Sequence, residues 1–227
     1  MKIRLIAAAL MGLTLAASPL AAKPKAEPVA APVQLNAYVD PDPSHDPENI
    51  LVLDLSNGGR VLIRMMPSWA PGHVARIKEL TRQGFYNGII FHRVIDGFMA
   101  QTGDPTGTGT GGSQMPDLKA EFSYMPHVRG TVSMARTEQP DSANSQFFIV
   151  FYPRFALDHR YTNFGRVISG MDVVDAIQRG EPPQNPTKIV QASILADGKA
   201  PPPPPAPVAA PTMPTISADQ LNQSKSN

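Results

Sequence analysis

The 227-residue chain contains no cysteine. That absence excludes disulfides, thiolate catalysis, cysteine-ligated metal and a lipidated N-terminal cysteine. Histidine is scarce, at five residues. His73, His92, His127 and His159 show neither an HExxH pattern nor an i,i+4 pairing, so each reads as a packed or surface residue and no metal is expected. Neither sign of charge dominates, with 20 Lys and Arg against 19 Asp and Glu. Without a basic block, nothing points to nucleic acid. No apolar run reaches the ~20 residues that span a bilayer. Residues 106–112 are glycine-rich, but no GK[ST] follows them, and no G-x-S-x-G elbow occurs anywhere. Nucleotide binding and serine hydrolysis are therefore not the expected chemistries.

What is present divides the chain into four parts. Residues 1–22 have the plan of a secretory leader: Lys2 and Arg4, an apolar stretch, then a small-residue end. Leu20 and Ala22 suit cleavage after Ala22. The mature protein is then expected in a periplasm or outside the cell, without stable insertion in a membrane. Residues 23–48 are rich in Ala, Pro and Asp and read as a linker. Residues 49–198 hold the folded domain, of ordinary size for a single core. Residues 199–227 open with a proline run, favour extended polyproline II and read as a disordered tail.

Within the domain, residues 49–56 are apolar and β-branched enough for a strand. Asn57, Gly58 and Gly59 supply a hairpin turn. Val61, Ile63 and Met65 then alternate with Arg60 and Arg64, the pattern of a half-buried strand. Pro71 opens a helix in which Val74, Ile77 and Leu80 form the apolar face, with Arg76, Lys78, Glu79 and Arg82 opposite, and Gly84 ends it. Six short apolar segments follow between turn residues. A second helix is expected over 171–178, with Ser169 as its cap and Gly180 past its end. Many short strands and two separated helices argue for an antiparallel sheet or barrel.

The richest stretch is FHRVIDGFMAQTGDPTGTGTGG, residues 91–112. It sets Arg93 near Phe98, Met99 and Gln101, and ends in the glycine-rich loop. A cation beside an aromatic ring, a thioether and a neutral amide suits gripping a peptide better than hydrolysing one. Ser-Gln-Phe-Phe-Ile, residues 145–149, adds a second amide and an aromatic pair at strand spacing. Together these segments resemble the cyclophilin family of peptidyl-prolyl cis–trans isomerases, over about two thirds of the chain. The resemblance implies an eight-stranded antiparallel closed β-barrel capped by two α-helices. It implies isomerase activity without a cofactor, acting as a monomer on unfolded or flexible proline-containing polypeptides. A chaperone or binding module that holds such segments without turnover is the alternative.

The resemblance also assigns roles. Arg93 corresponds to the catalytic arginine. Phe98, Met99, Phe148 and Leu157 correspond to the apolar proline pocket. Gln101 and Gln146 correspond to amides that hold the substrate backbone, and the Ala135 backbone to part of the groove. Arg136 stands where many eukaryotic members have Asn. Ala156 and Tyr161 stand where those members have a Trp and a His, and Tyr161 keeps a ring with a polar tip at the pocket.

Overall fold

The computed structural model describes residues 37–203. The expected leader, most of the linker and the tail beyond Pro203 lie outside the described residues. Eight strands form one sheet: β1 (Ile50–Leu55), β2 (Arg60–Met65), β3 (Arg93–Ile95), β4 (Met99–Thr102), β5 (Thr131–Met134), β6 (Phe147–Val150), β7 (Asn163–Ser169) and β8 (Ile189–Ile194). Their order is β3-β4-β6-β5-β7-β2-β1-β8, and every pairing is antiparallel.

The sheet curls into a half-barrel. The expected closed barrel is not found, because among the described residues no ladder joins its ends, β3 and β8. Only isolated bridges cross that side, Ile90 with Lys188 and Val94 with Gly180. The cause is local: β3 has only three residues. The chain before it meets β8 through single bonds, such as Phe91 N–H to Thr187 O at 2.8 Å.

Inside the curl, Leu51, Leu53, Val61, Ile63, Phe147, Ile149, Phe164 and Ile194 form the main core. Helix α1 (Pro71–Arg82) packs Val74, Ile77 and Leu80 into it. Each such burial stabilises by roughly 1.5–3 kcal/mol. Arg76, expected on the solvent face, is buried instead and donates to Pro116 O at 2.8 Å. Helix α2 (Met171–Asp175) is shorter than expected, and Ser169 does not cap it. Its N-cap is Gly170 at φ 80°, where an added Cβ would collide with the backbone of Arg60. A side chain cannot be accommodated there.

Arg64, read as outward-facing, is only 4% exposed. Its guanidinium donates to the carbonyls of Asp40, Asp42, His45 and Asp46. Residues 40–46 are therefore held on the sheet, next to the turn Pro47–Asn49. Glu48 pairs with Lys78 and Arg82 of α1.

Candidate active site

Strand alternation splits the residues of β3 to β6 between two faces. Val94, Ala100, Val132, Phe147 and Ile149 point into the main core. The residues between them point the other way. The register then aligns Arg93 with Gln101, Gln101 with Phe148, and Phe148 with Ser133. One transverse row across four strands thus carries a cation, an amide, an aromatic ring and a hydroxyl. The next row carries Ile95, Met99 and Val150. Met99, Phe148 and Val150 form a second apolar cluster, with Phe98, Ala135, Leu157 and Tyr161 packed against it.

A cavity of about 230 Å³ opens over this cluster, and Arg93 and Gln101 stand at its wall with the apolar residues. Met99 and Phe148, almost fully buried, give it an apolar floor. Tyr161 meets Phe148 edge to face at 5.6 Å between centroids. Eight of the nine residues singled out in the sequence line this cavity: Arg93, Phe98, Met99, Gln101, Ala135, Phe148, Leu157 and Tyr161. Gln146, the ninth, lines the adjoining cleft of about 480 Å³ with Gln101, Ala135 and the glycine-rich loop.

Gln146 links the two spaces. Its Oε1 accepts from Gln101 Nε2 at 2.9 Å, and its own Nε2 donates to Gly109 O and Gly111 O at 3.1 and 2.8 Å. The glycine-rich loop is organised in turn by Asp104. One carboxylate oxygen accepts from the Thr106 N–H and hydroxyl, and the other from the N–H groups of Gly109 and Gly111. Burial alone would raise the Asp104 carboxyl. The bonds from Thr106, Gly111 and Gly109 outweigh burial and pull it down to about 2. The loop is a carboxylate-centred support for Gln146.

Three features escaped the sequence reading. Glu181 accepts from Arg93 Nε at 2.7 Å, from a position 88 residues away. No local pattern signals such a partner. Arg136, noted only as a departure, lies between the two cavities with its guanidinium 4.7 Å from the Tyr161 ring centroid. It is held there by the carbonyls of Arg160, Thr137 and Glu138. Lastly, Ser133, His127 and Asp158 form a hydrogen-bonded chain, with both links at 2.8 Å. The order is that of a hydrolase triad, but Ser133 is fully buried and His127 is 1% exposed, so no scissile bond can reach the hydroxyl. Among the described residues, no cluster of His, Asp and Glu gathers as metal ligands would.

The site thus offers an apolar, ring-sized hollow, two side-chain amides and two cations, Arg93 and Arg136, with no exposed nucleophile–base pair among the described residues. Comparison with known proteins gives the family. Residues 50–194 match the family model described as cyclophilin type peptidyl-prolyl cis-trans isomerase/CLD. A protein of Brucella suis named a probable peptidyl-prolyl cis-trans isomerase is 52% identical over 170 residues, covering 68% of this chain and 86% of that one. The crystal structure of the cyclophilin AquaCyp293 from Hirschia baltica superposes with a TM-score of 0.63 at 32% identity, covering 69% of this chain and 77% of that one. A Cryptosporidium parvum cyclophilin type isomerase, solved in the presence of the dipeptide Ala-Pro, gives a TM-score of 0.59 at 28% identity, covering 64% of this chain and 98% of that one. With a match running through the whole eight-stranded sheet, the chain belongs to the cyclophilin family of peptidyl-prolyl cis–trans isomerases.

Proposed function

We propose that this isomerase acts on exported proteins, with Arg93 as the group that lowers the barrier. Rotation about an X-Pro bond must overcome amide resonance, a barrier of ~18–20 kcal/mol. A catalyst therefore has to favour the twisted amide over both planar forms. The pyrrolidine ring lies on Met99 and Phe148, walled by Phe98, Leu157 and Tyr161. Gln101 and Gln146 fix the flanking backbone. Arg93 then faces the amide nitrogen, whose lone pair becomes localised as the bond twists. The observation that carries this reading is the ladder register that sets Arg93, Gln101 and Phe148 in one row.

Export rests on the leader pattern of residues 1–22. X-Pro exchange without a catalyst takes tens to hundreds of seconds, slow enough to limit folding of newly exported chains. Those flexible, proline-containing chains are the proposed substrates, and a monomer without a cofactor suffices for the reaction. Two measurements test the proposal. Mature protein from the native host should begin near Lys23 and fractionate with soluble extracytoplasmic protein; intact Met1 in a salt-washed membrane pellet would contradict export. In a protease-coupled assay, the purified protein should accelerate cis–trans exchange of a proline peptide. Binding without acceleration would instead assign the site to a holding function.

A further inference from the structure

We propose that His127 is a positioning residue for the proline site, and that it acts by clamping the turn that carries Leu157. The inference rests on the reading of the apolar cavity as the proline pocket. Leu157 comes from the short 3-10 turn Phe155–Leu157. Residues 152–156 and 159–160 around it are exposed, so apolar burial does little to hold the turn in place. Three bonds from one residue, two of its main chain and one of its ring, tie the turn at both ends, beside the Arg154 guanidinium that donates to Gly97 O at 2.8 Å. The His127 carbonyl accepts from Arg154 N–H at 2.7 Å, just before the turn. The His127 N–H and Nδ1 both reach Asp158 Oδ1 at 2.8 Å, just after it. Both ends of the turn are thus tied to the same buried histidine.

The other side of the ring leads to the floor of the pocket. An ionised carboxylate only accepts, so Nδ1 carries the proton and Nε2 accepts from Ser133 Oγ at 2.8 Å. Burial keeps the imidazole neutral, lowering its pKa below the ordinary value even though Asp158 favours the charged form. Ser133 is the ladder partner of Phe148, on the row that also carries Gln101 and Arg93. His127 therefore sets the spacing between the Leu157 wall and the Phe148 floor. A pocket that is loose along this axis binds the ring less well, while Arg93 and its row stay in place. The expected signature is a rise in KM with little change in kcat.

Two substitutions separate the two ring nitrogens. The amide N–H₂ of His127→Asn can stand near the Nδ1 position and keep Asp158. The amide oxygen of His127→Gln can stand near Nε2 and keep only Ser133. Kinetics on a saturable proline peptide, with melting temperature recorded for each variant, should show His127→Asn, which keeps the Asp158 end of the clamp and loses the Ser133 end, with KM raised less than in His127→Gln. His127→Gln and Asp158→Ala should raise KM about tenfold with kcat within about threefold. In a Leu157→Ala background, Asp158→Ala should add less than about twofold, since the clamp would have nothing left to position. Should Asp158→Ala unfold, Asp158→Asn, whose Oδ1 still accepts, should show the same sign at about threefold. Unchanged KM, equal failure of the Asn and Gln variants, or effects that multiply with Leu157→Ala would each overturn the clamp. A wild type that binds without accelerating exchange would overturn the proline-site reading itself, which is a different result.

Discussion

Arg93 donates through Nε to Glu181 at 2.7 Å, across the side of the half-barrel where the ladder is open. Among the described residues, no acceptor takes its two Nη groups. The pairing thus orients the guanidinium and leaves four N–H bonds for a ligand. Both side chains are about half exposed, so the pair contributes no more than about 1 kcal/mol to stability. Glu181→Gln keeps an acceptor for Nε and should leave stability within about 1 kcal/mol and kcat/KM within about threefold of wild type. Glu181→Lys places a like charge beside Arg93 and should lower kcat/KM by roughly tenfold, more at low salt than at high salt. Equal activity of the Lys variant at low salt would mean that the pair has no part in setting the arginine.

Stability should fall as the solution is acidified from neutral pH. His73, His92 and His127 are buried, and in each case burial is the main reason that the imidazole pKa lies below its ordinary value. A base with a lowered folded pKa binds protons more readily when unfolded. Its contribution is therefore complete above the unfolded pKa, near 6.5, and is lost as pH falls toward the folded value. His92 is the sharpest case, because among the described residues neither ring nitrogen has a hydrogen-bond partner. Urea midpoints should decline steadily from pH 7 to pH 5. His92→Leu, which removes the titrating group at similar volume, should cost under about 1.5 kcal/mol at pH 7 and should flatten that decline. An unchanged slope in His92→Leu would show that another group governs acid sensitivity.

Much of this site was legible because its parts repeat locally. Arg93, Met99, Gln101 and Phe148 sit in short segments whose period-two alternation determines which side chains leave the core. The family resemblance then supplied the roles proposed for them. What was not legible depends on contacts between distant segments. The 88-residue separation of Arg93 and Glu181 leaves no local trace. Likewise, nothing in the segment containing His127 announces Asp158, 31 residues on. Arg64 and Arg76 looked solvent-facing by periodicity, but each is buried because its long side chain reaches loop carbonyls. Hydropathy patterns register the charge of such a residue, not the acceptors waiting for it. The failed barrel closure has the same origin, since a three-residue strand is too short to pair along β8.

Asp104→Ala should damage the site without touching it directly. The substitution strips the acceptor from the N–H groups of Thr106, Gly109 and Gly111. The Gly109 and Gly111 carbonyls hold the Gln146 amide, which in turn holds Gln101. A loss of stability on the order of 2 kcal/mol is expected, as for buried donors left without partners. kcat/KM should drop about tenfold through the loosened amides. In wild type, the carboxyl lies at about 2 against an ordinary 3.8, so its contribution is present above pH ~4 and is lost as pH falls from there toward 2. Hydrogen exchange of the Gly109 and Gly111 amides reports the loop directly. Wild-type protection of both amides in Asp104→Ala would show that the carboxylate does not hold it.

Arg93→Ala should lower kcat/KM by ~10²–10³, about 2.7–4 kcal/mol, the scale for removing one preorganised donor from an electrostatic site. In both planar forms the amide nitrogen lone pair is delocalised and offers a guanidinium little. Twisting localises it, so the interaction strengthens toward the transition state. The loss should therefore fall mainly on kcat, with peptide affinity reduced modestly. The fold should survive, because Arg93 is half-exposed at the cavity wall and its one carboxylate partner among the described residues is also half-exposed. Arg93→Lys should rescue poorly, since an ammonium cannot keep Glu181 on one nitrogen while presenting a planar pair of donors to the substrate. Phe148→Ala should behave differently. It removes the floor of the apolar cluster, so binding and turnover should decline together, with a stability cost of about 3–5 kcal/mol for an emptied aromatic site. The contrast between these variants is the test: a folded Arg93→Ala protein that keeps more than about half of wild-type turnover would remove Arg93 from the mechanism, whatever Phe148→Ala does.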